Sequence, residues 1–127
     1  MQKIFLVDDS PLVRERIAEM LAGLPHLSLV GVAADAAGAI SGILSAKPDL
    51  VLLDLSLQSG SGFDVLKAVH EREPGIDFYM LSNFAAEPYR RHAQRLGAAG
   101  FFDKSTDLER LRATLKAHNG EMQPCQP

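Results

Sequence analysis

The sequence predicts a doubly wound α/β protein, three layers deep, with five parallel strands in one sheet and five helices over its two faces. Two observations carry this. Short apolar runs alternate with helical patterns five times, and the runs Ile4-Phe5-Leu6-Val7 and Leu50-Val51-Leu52-Leu53 are unbroken, as in strands covered on both faces. Parallel neighbours need a crossover, which is right-handed and helical, so five such units build one parallel sheet.

The elements follow in order. After the first strand, Ser10-Pro11 opens a helix, Ser as cap and Pro at the first helical position. Val13, Ile17, Met20, Leu21 and Leu24 recur at helical spacing, and Pro25 stops the helix. Residues 27–33 read as a second strand, less continuously apolar and so nearer an edge. The second helix keeps a face of Ala37, Ile40 and Leu44, is weakened by Gly38 and Gly42, and is closed by Lys47-Pro48. The third strand runs straight into Asp54. A loop with Gly60 and Gly62 leads to a helix carrying Phe63, Leu66 and Val69. Phe78-Tyr79-Met80-Leu81 forms the fourth strand, ending at Ser82, and a short helix around 88–96 stops at Gly97. Gly100-Phe101-Phe102 is the fifth strand, ending at Asp103-Lys104. Thr106 and Glu109 form a capping box for the last helix, whose apolar face is Leu108, Leu111 and Leu115. Residues 1–118 form the domain, and 119–127 read as a flexible polar tail.

Composition narrows the function. The 127 residues suit one domain, which needs neither disulfide nor structural metal to fold, and the single Cys125 can form no internal disulfide. No apolar run approaches the roughly 20 residues of a membrane helix, and Asp8 interrupts any signal-peptide core. A soluble cytoplasmic protein is expected. Net charge is −3, so the chain lacks the overall basic surface that sequence-independent nucleic-acid binding needs, and direct DNA binding is not expected. Arg90-Arg91-His92 with Arg95 reads as a solvated helix face.

In open α/β sheets, sites form beyond the carboxyl ends of the strands. Those ends carry Asp8 and Asp9, Asp54, Ser82 and Lys104. Strands often end in polar residues simply because loops begin there. These five, however, are chemically complementary. Three crowded carboxylates call for a hard cation such as Mg²⁺, and a lysine with a hydroxyl suits phosphoryl oxygens.

Val7-Asp8-Asp9-Ser10, Leu53-Asp54-Leu55, Gly62, Leu81-Ser82 and Asp103-Lys104-Ser105, in this order and spacing along a chain of five strands, resemble the receiver domain of bacterial two-component response regulators. The likeness runs from about residue 3 to 118. It implies a flavodoxin-like strand order of 2-1-3-4-5 and a single-domain, chemotaxis-regulator-like switch. By resemblance, Asp54 is the phosphoacceptor, served by a sensor histidine kinase or phosphotransfer protein. Asp9 and Asp54 ligate Mg²⁺ directly, Asp8 acts through water, and the Ser56 backbone carbonyl is a further ligand. Lys104 neutralises phosphoryl charge, Ser82 donates its hydroxyl and carries the switch, and Phe101 is the aromatic residue that follows it. Ser56 and Phe84 take the positions that tune phosphoryl lifetime, and a bulky Phe84 shields the acyl phosphate from water. The protein catalyses only its own phosphorylation and dephosphorylation. Its output is a changed face built by the fourth helix, fifth strand and fifth helix, decorated by Tyr89, Phe84 and the arginines. It acts as a monomer or a phosphorylation-dependent dimer. Kinase choice falls to Val13, Arg14, Ile17 and Met20, with core packing the competing role for Val13 and Ile17.

The sequence departs from the family pattern in places. Gln58 replaces the usual proline, which makes the following loop more flexible. Ser105 replaces the frequent proline after Lys104, and Asn83 stands where a small apolar residue is common. Two other readings compete. A Mg²⁺-dependent phosphohydrolase of the haloacid-dehalogenase type needs an Asp-x-Asp pattern after strand one, which Asp8-Asp9-Ser10 lacks, and a cap domain. A receiver-shaped module that is never phosphorylated is disfavoured by five competent site residues. No DNA-binding helix-turn-helix or catalytic domain is expected after His118 in the sequence as given, which reads as a stand-alone receiver, with a piece of a longer regulator as the alternative.

Overall fold

The computed structural model describes residues 2–57, 59–83 and 87–118. Along the chain lie β1 (Gln2–Val7), α1 (Pro11–Ala22), β2 (Leu27–Ala33), α2 (Ala36–Ala46), β3 (Leu50–Asp54), α3 (Gly62–Arg72), β4 (Asp77–Ser82), α4 (Glu87–Arg95), β5 (Gly100–Asp103) and α5 (Leu108–Ala117). All strand pairs are parallel, in the order β2-β1-β3-β4-β5. This is the expected fold, and β2 lies at an edge.

Alternation along the strands divides the core between the two faces of the sheet. Phe5, Val7, Val51, Leu53, Phe78, Met80 and Phe101 pack with residues of α2, α3 and α4. Ile4, Leu6, Leu50, Leu52, Tyr79, Leu81 and Phe102 pack with Ile17 and Leu21 of α1 and Leu111 and Leu115 of α5. The three central strands are covered on both sides, which is why their sequences are unbroken apolar runs.

Local details depart from expectation in three places. α1 ends at Ala22, before Pro25, because Gly23 and Leu24 donate to Met20 and Leu21 and tighten the last turn to i→i+3 bonds. α2 buries Ala39 and Ile43, with Ile40 and Leu44 half-buried, while Ala37 is exposed. Its Gly42 is not a defect. The Phe5 ring lies where a Cβ at Gly42 or at Gly31 would stand, so both glycines make room for one core aromatic. The capping box on α5 does not form. Asp107 is the N-cap, because its carboxylate accepts the Asp103 N–H at 2.9 Å and so ties the end of β5 to the start of the helix.

Register brings the strand ends level. Val7 pairs with Leu53, Asp54 with Leu81, and Ser82 with Asp103. Because β2 and β3 lie on opposite sides of β1, the crevice opens above β1 and β3, where the connections diverge.

Candidate functional site

Asp8 follows β1 and is fully buried. Its backbone is held by an N–H donated to Ala33 O and a carbonyl that accepts from Arg14 Nη1 at 2.7 Å. Its Oδ1 accepts from Ser10 N at 2.8 Å, and Ser10 Oγ in turn caps α1 by accepting from Val13 N. One tight turn therefore starts the helix and aims a carboxylate into the crevice. Asp9, beside it, is exposed.

Asp54 closes β3 at 3% exposure, and its Oδ1 accepts from Ser56 N at 3.2 Å. The chain turns sharply here: Gly62 N donates to Leu55 O, and a Cβ on Gly62 would overlap the Asp54 carbonyl oxygen. Only glycine allows this approach. Lys104 follows β5, its N–H bonded to Ser82 O. Its Nζ sits 2.9 Å from both Asp8 Oδ2 and Asp54 Oδ2. Asp103 steadies that turn by accepting from the N–H and the hydroxyl of Ser105.

The structure thus gathers Asp9, Asp54, Ser56, Ser82 and Lys104 around one cleft of about 230 Å³, with Asp8 beneath it. Burial pushes the Asp54 carboxyl up from 3.8 to about 6; Lys104 pulls it down and the Asp8 charge raises it further. Burial on its own would lower the Lys104 pKa, but the two carboxylates outweigh it and hold the ammonium above its usual value.

One ammonium faces three carboxylates whose oxygens lie within 4.8 Å of one another. Among the described residues, Asp8 Oδ2 makes no polar contact besides the Lys104 ammonium at 2.9 Å. A set of hard oxygens with excess negative charge fits a divalent cation such as Mg²⁺.

Other expected residues fall elsewhere. Phe101 is buried on β5 and lines a separate cleft with Arg90 and Arg110. Tyr89 is exposed, but it borders Ser56, Phe63 and Ser82 rather than that arginine-lined cleft. Ile17 belongs to the core and is not available for docking, whereas Val13 reaches the site. Phe84 and Gln58 lie outside the described residues. Sequence reasoning missed the bond from Arg14 to the Asp8 carbonyl. Its signal is a long donor one turn after the cap, legible only once the turn itself is known.

Comparison with known proteins agrees with this geometry. The family described as the response regulator receiver domain matches residues 4–116. The DNA-binding transcriptional activator DevR/DosR of Mycobacterium tuberculosis is 32% identical over 91% of this chain and 54% of its own length. The chain spans about half the length of this relative. Among solved structures, the signal receiver domain of NarL from Mycobacterium tuberculosis superposes with a TM-score of 0.81 at 32% identity, covering 90% of this chain and 93% of that one. The BeF3-activated N-terminal receiver domain of RstA from Klebsiella pneumoniae superposes with a TM-score of 0.81 at 28% identity, over 91% and 97%. Among the described residues, no helix is long and apolar enough to cross a membrane. By sequence, strand order and the convergence of strand ends, the chain belongs to the response regulator receiver domain family.

Proposed function

We propose that Asp54 accepts a phosphoryl group from a histidine kinase or phosphotransfer protein and that the resulting charge switches a partner-binding face. The observation that carries this reading is the Asp54 carboxylate itself, buried at a strand end and held at 2.9 Å by Lys104 beside two further aspartates. An Asp54 oxygen attacks phosphorus; the bond to the donor's imidazole nitrogen breaks, and the released imidazole takes up a proton. Lys104, already bridging Asp8 and Asp54, balances charge on the phosphoryl oxygens, and Ser82 at the neighbouring strand end offers its hydroxyl.

Asp8, Asp9 and Asp54, with the Ser56 carbonyl, would hold Mg²⁺. The bound ion supplies the positive charge that lets an anionic nucleophile meet an anionic phosphoryl group. Ser82 and Lys104 share a backbone hydrogen bond, so a shift of Ser82 toward new phosphoryl oxygens pulls on the strand that carries Phe101. Phe101 has no hydroxyl, so its burial alone biases the two states. Ser56 and Phe84 are assigned to phosphoryl lifetime.

Incubation with Mg²⁺ and a small acyl-phosphate donor tests the reading. A hydroxylamine-labile phosphate on the wild type, absent from Asp54→Asn, is the expected result. A label that persists in the variant, or none on the wild type, contradicts it. Turnover of external phosphomonoesters would instead indicate a phosphohydrolase.

A further inference from the structure

Asp8 and Asp9 reach the cleft on the same short stretch between β1 and α1, but they are held very differently. The Asp8 carboxylate is fixed at both oxygens, by Ser10 N at 2.8 Å and by Lys104 Nζ at 2.9 Å, and the Asp8 N–H is bonded to Ala33 O. Asp9 is exposed, and among the described residues its carboxylate makes no hydrogen bond or ion pair. Its place beside Asp8 and Asp54 is therefore set by the backbone that carries it.

One side chain holds that backbone. Arg14 reaches back along α1 and donates Nη1 to the Asp8 carbonyl at 2.7 Å. This carbonyl belongs to the planar peptide that joins Asp8 to Asp9, so whatever orients it also orients the N–H and Cα of Asp9. A bond from a guanidinium is charge-assisted and short, and Arg14 is half-buried, so water competes for it less. The Arg14 N–H also donates to Ser10 O at 3.0 Å, so residues 8–10 are gripped from the helix backbone and from the guanidinium together.

We propose that Arg14 is a positioning residue: by locking the Asp8–Asp9 peptide it places the Asp9 carboxylate for a divalent cation held with Asp8 and Asp54. The proposal rests on the cation site of the function proposed above. Two other roles for Arg14 make different demands. A residue that only docks a kinase has no effect when no kinase is present. A residue that acts only as a charge opposes the cation, because it brings a positive group toward the same carboxylates, and its removal tightens cation binding. Positioning has the opposite sign.

The full chain is compared with Arg14→Met, which keeps the reach but neither donor nor charge, and with Arg14→Lys, which restores both. No kinase is present. Urea unfolding in chelator, followed by circular dichroism, shows that each variant folds, and Arg14→Gln replaces Arg14→Met if that variant does not. Calorimetric titration with Mg²⁺ is expected to show binding about tenfold weaker in Arg14→Met and within about threefold of wild type in Arg14→Lys, as loss and recovery of a charge-assisted bond imply. In chelator, the backbone order parameter of the Asp9 amide is expected to fall from about 0.85 to below about 0.6 in Arg14→Met, while that of Leu52 in the buried β3 stays unchanged. Labelling of Asp54 by acetyl phosphate is expected to slow at limiting Mg²⁺ and to recover when Mg²⁺ is raised. The proposal is overturned by equal or tighter Mg²⁺ binding in Arg14→Met, by the same weakening in Arg14→Lys, by an unchanged Asp9 order parameter, or by a labelling deficit that persists at saturating Mg²⁺. A wild type that binds no Mg²⁺ sinks the cation site and this role with it, whereas normal wild-type binding with unaffected variants sinks the role of Arg14 alone. A wild type that binds Mg²⁺ but is not labelled contradicts the phosphoacceptor, and the calorimetry still decides the role of Arg14.

Discussion

The buried Asp54 carboxylate carries a stability cost that can be measured without any ligand. Asp54 is 3% exposed, and its carboxyl is raised from 3.8 to about 6, chiefly by burial. An acid whose folded pKa is raised releases its proton less readily in the fold than in the unfolded chain, so above about pH 6 the charged group opposes folding. The penalty fades as pH falls through 6 and is gone below 3.8. At about 1.4 kcal/mol per decade, the full penalty is about 3 kcal/mol. Asp54→Asn keeps the shape and an acceptor for Lys104 but removes the charge. In chelator, at about pH 8, the variant should therefore be more stable by about 2–3 kcal/mol, and the gap should shrink toward zero near pH 4. The chain has no Trp, so urea unfolding is followed by far-ultraviolet circular dichroism. A variant less stable than wild type at the higher pH, or a gap independent of pH, would refute the reasoning.

Other consequences follow from the same geometry. Lys104→Met leaves the fully buried Asp8 carboxylate without its counter-charge and should cost about 3–5 kcal/mol at about pH 8, and less near pH 5 as Asp54 takes up a proton; denaturant midpoints at the two pH values check it. Mg²⁺ at about a hundredfold over its dissociation constant should add about 2.7 kcal/mol to wild type, and Asp9→Asn, at an exposed position, should lose most of that gain while melting normally in chelator. Gly62→Ala pushes a methyl into the Asp54 carbonyl and should cost about 1–3 kcal/mol and slow phosphoryl incorporation, both read on the same preparation. Ser10→Ala removes the α1 cap and should cost about 1 kcal/mol by urea titration.

Much of this architecture is legible in the sequence because its strands are buried on both faces. Leu50 to Leu53 can hardly be anything but a central strand, and a charged residue directly after it must lie at the rim. The rim residues announce themselves by being polar where an apolar run stops. Their convergence is another matter: Lys104 reaches Asp8 and Asp54 only because β5, β4, β3 and β1 lie side by side, an order that local patterns do not contain. Local rules fail where a tertiary contact outbids them. Thr106 and Glu109 fit a capping pattern, yet Asp107 takes the position by tying itself to Asp103. Gly42 looks like a weak point of α2 until the Phe5 ring is seen beside it. The arginines read as a solvated helix face, and nothing in their spacing shows that Arg90 shares a carbonyl with Arg110 from another helix.

The central claim is that one particular carboxylate, of the three that crowd this rim, carries the phosphoryl group. Borohydride reduces an aspartyl phosphate to homoserine, so treating the phosphorylated protein and mapping its peptides by mass reports the acceptor directly. Homoserine at position 54 and at neither 8 nor 9 is the predicted result. Homoserine at Asp8 or Asp9, or at no aspartate of the cleft, would contradict the account.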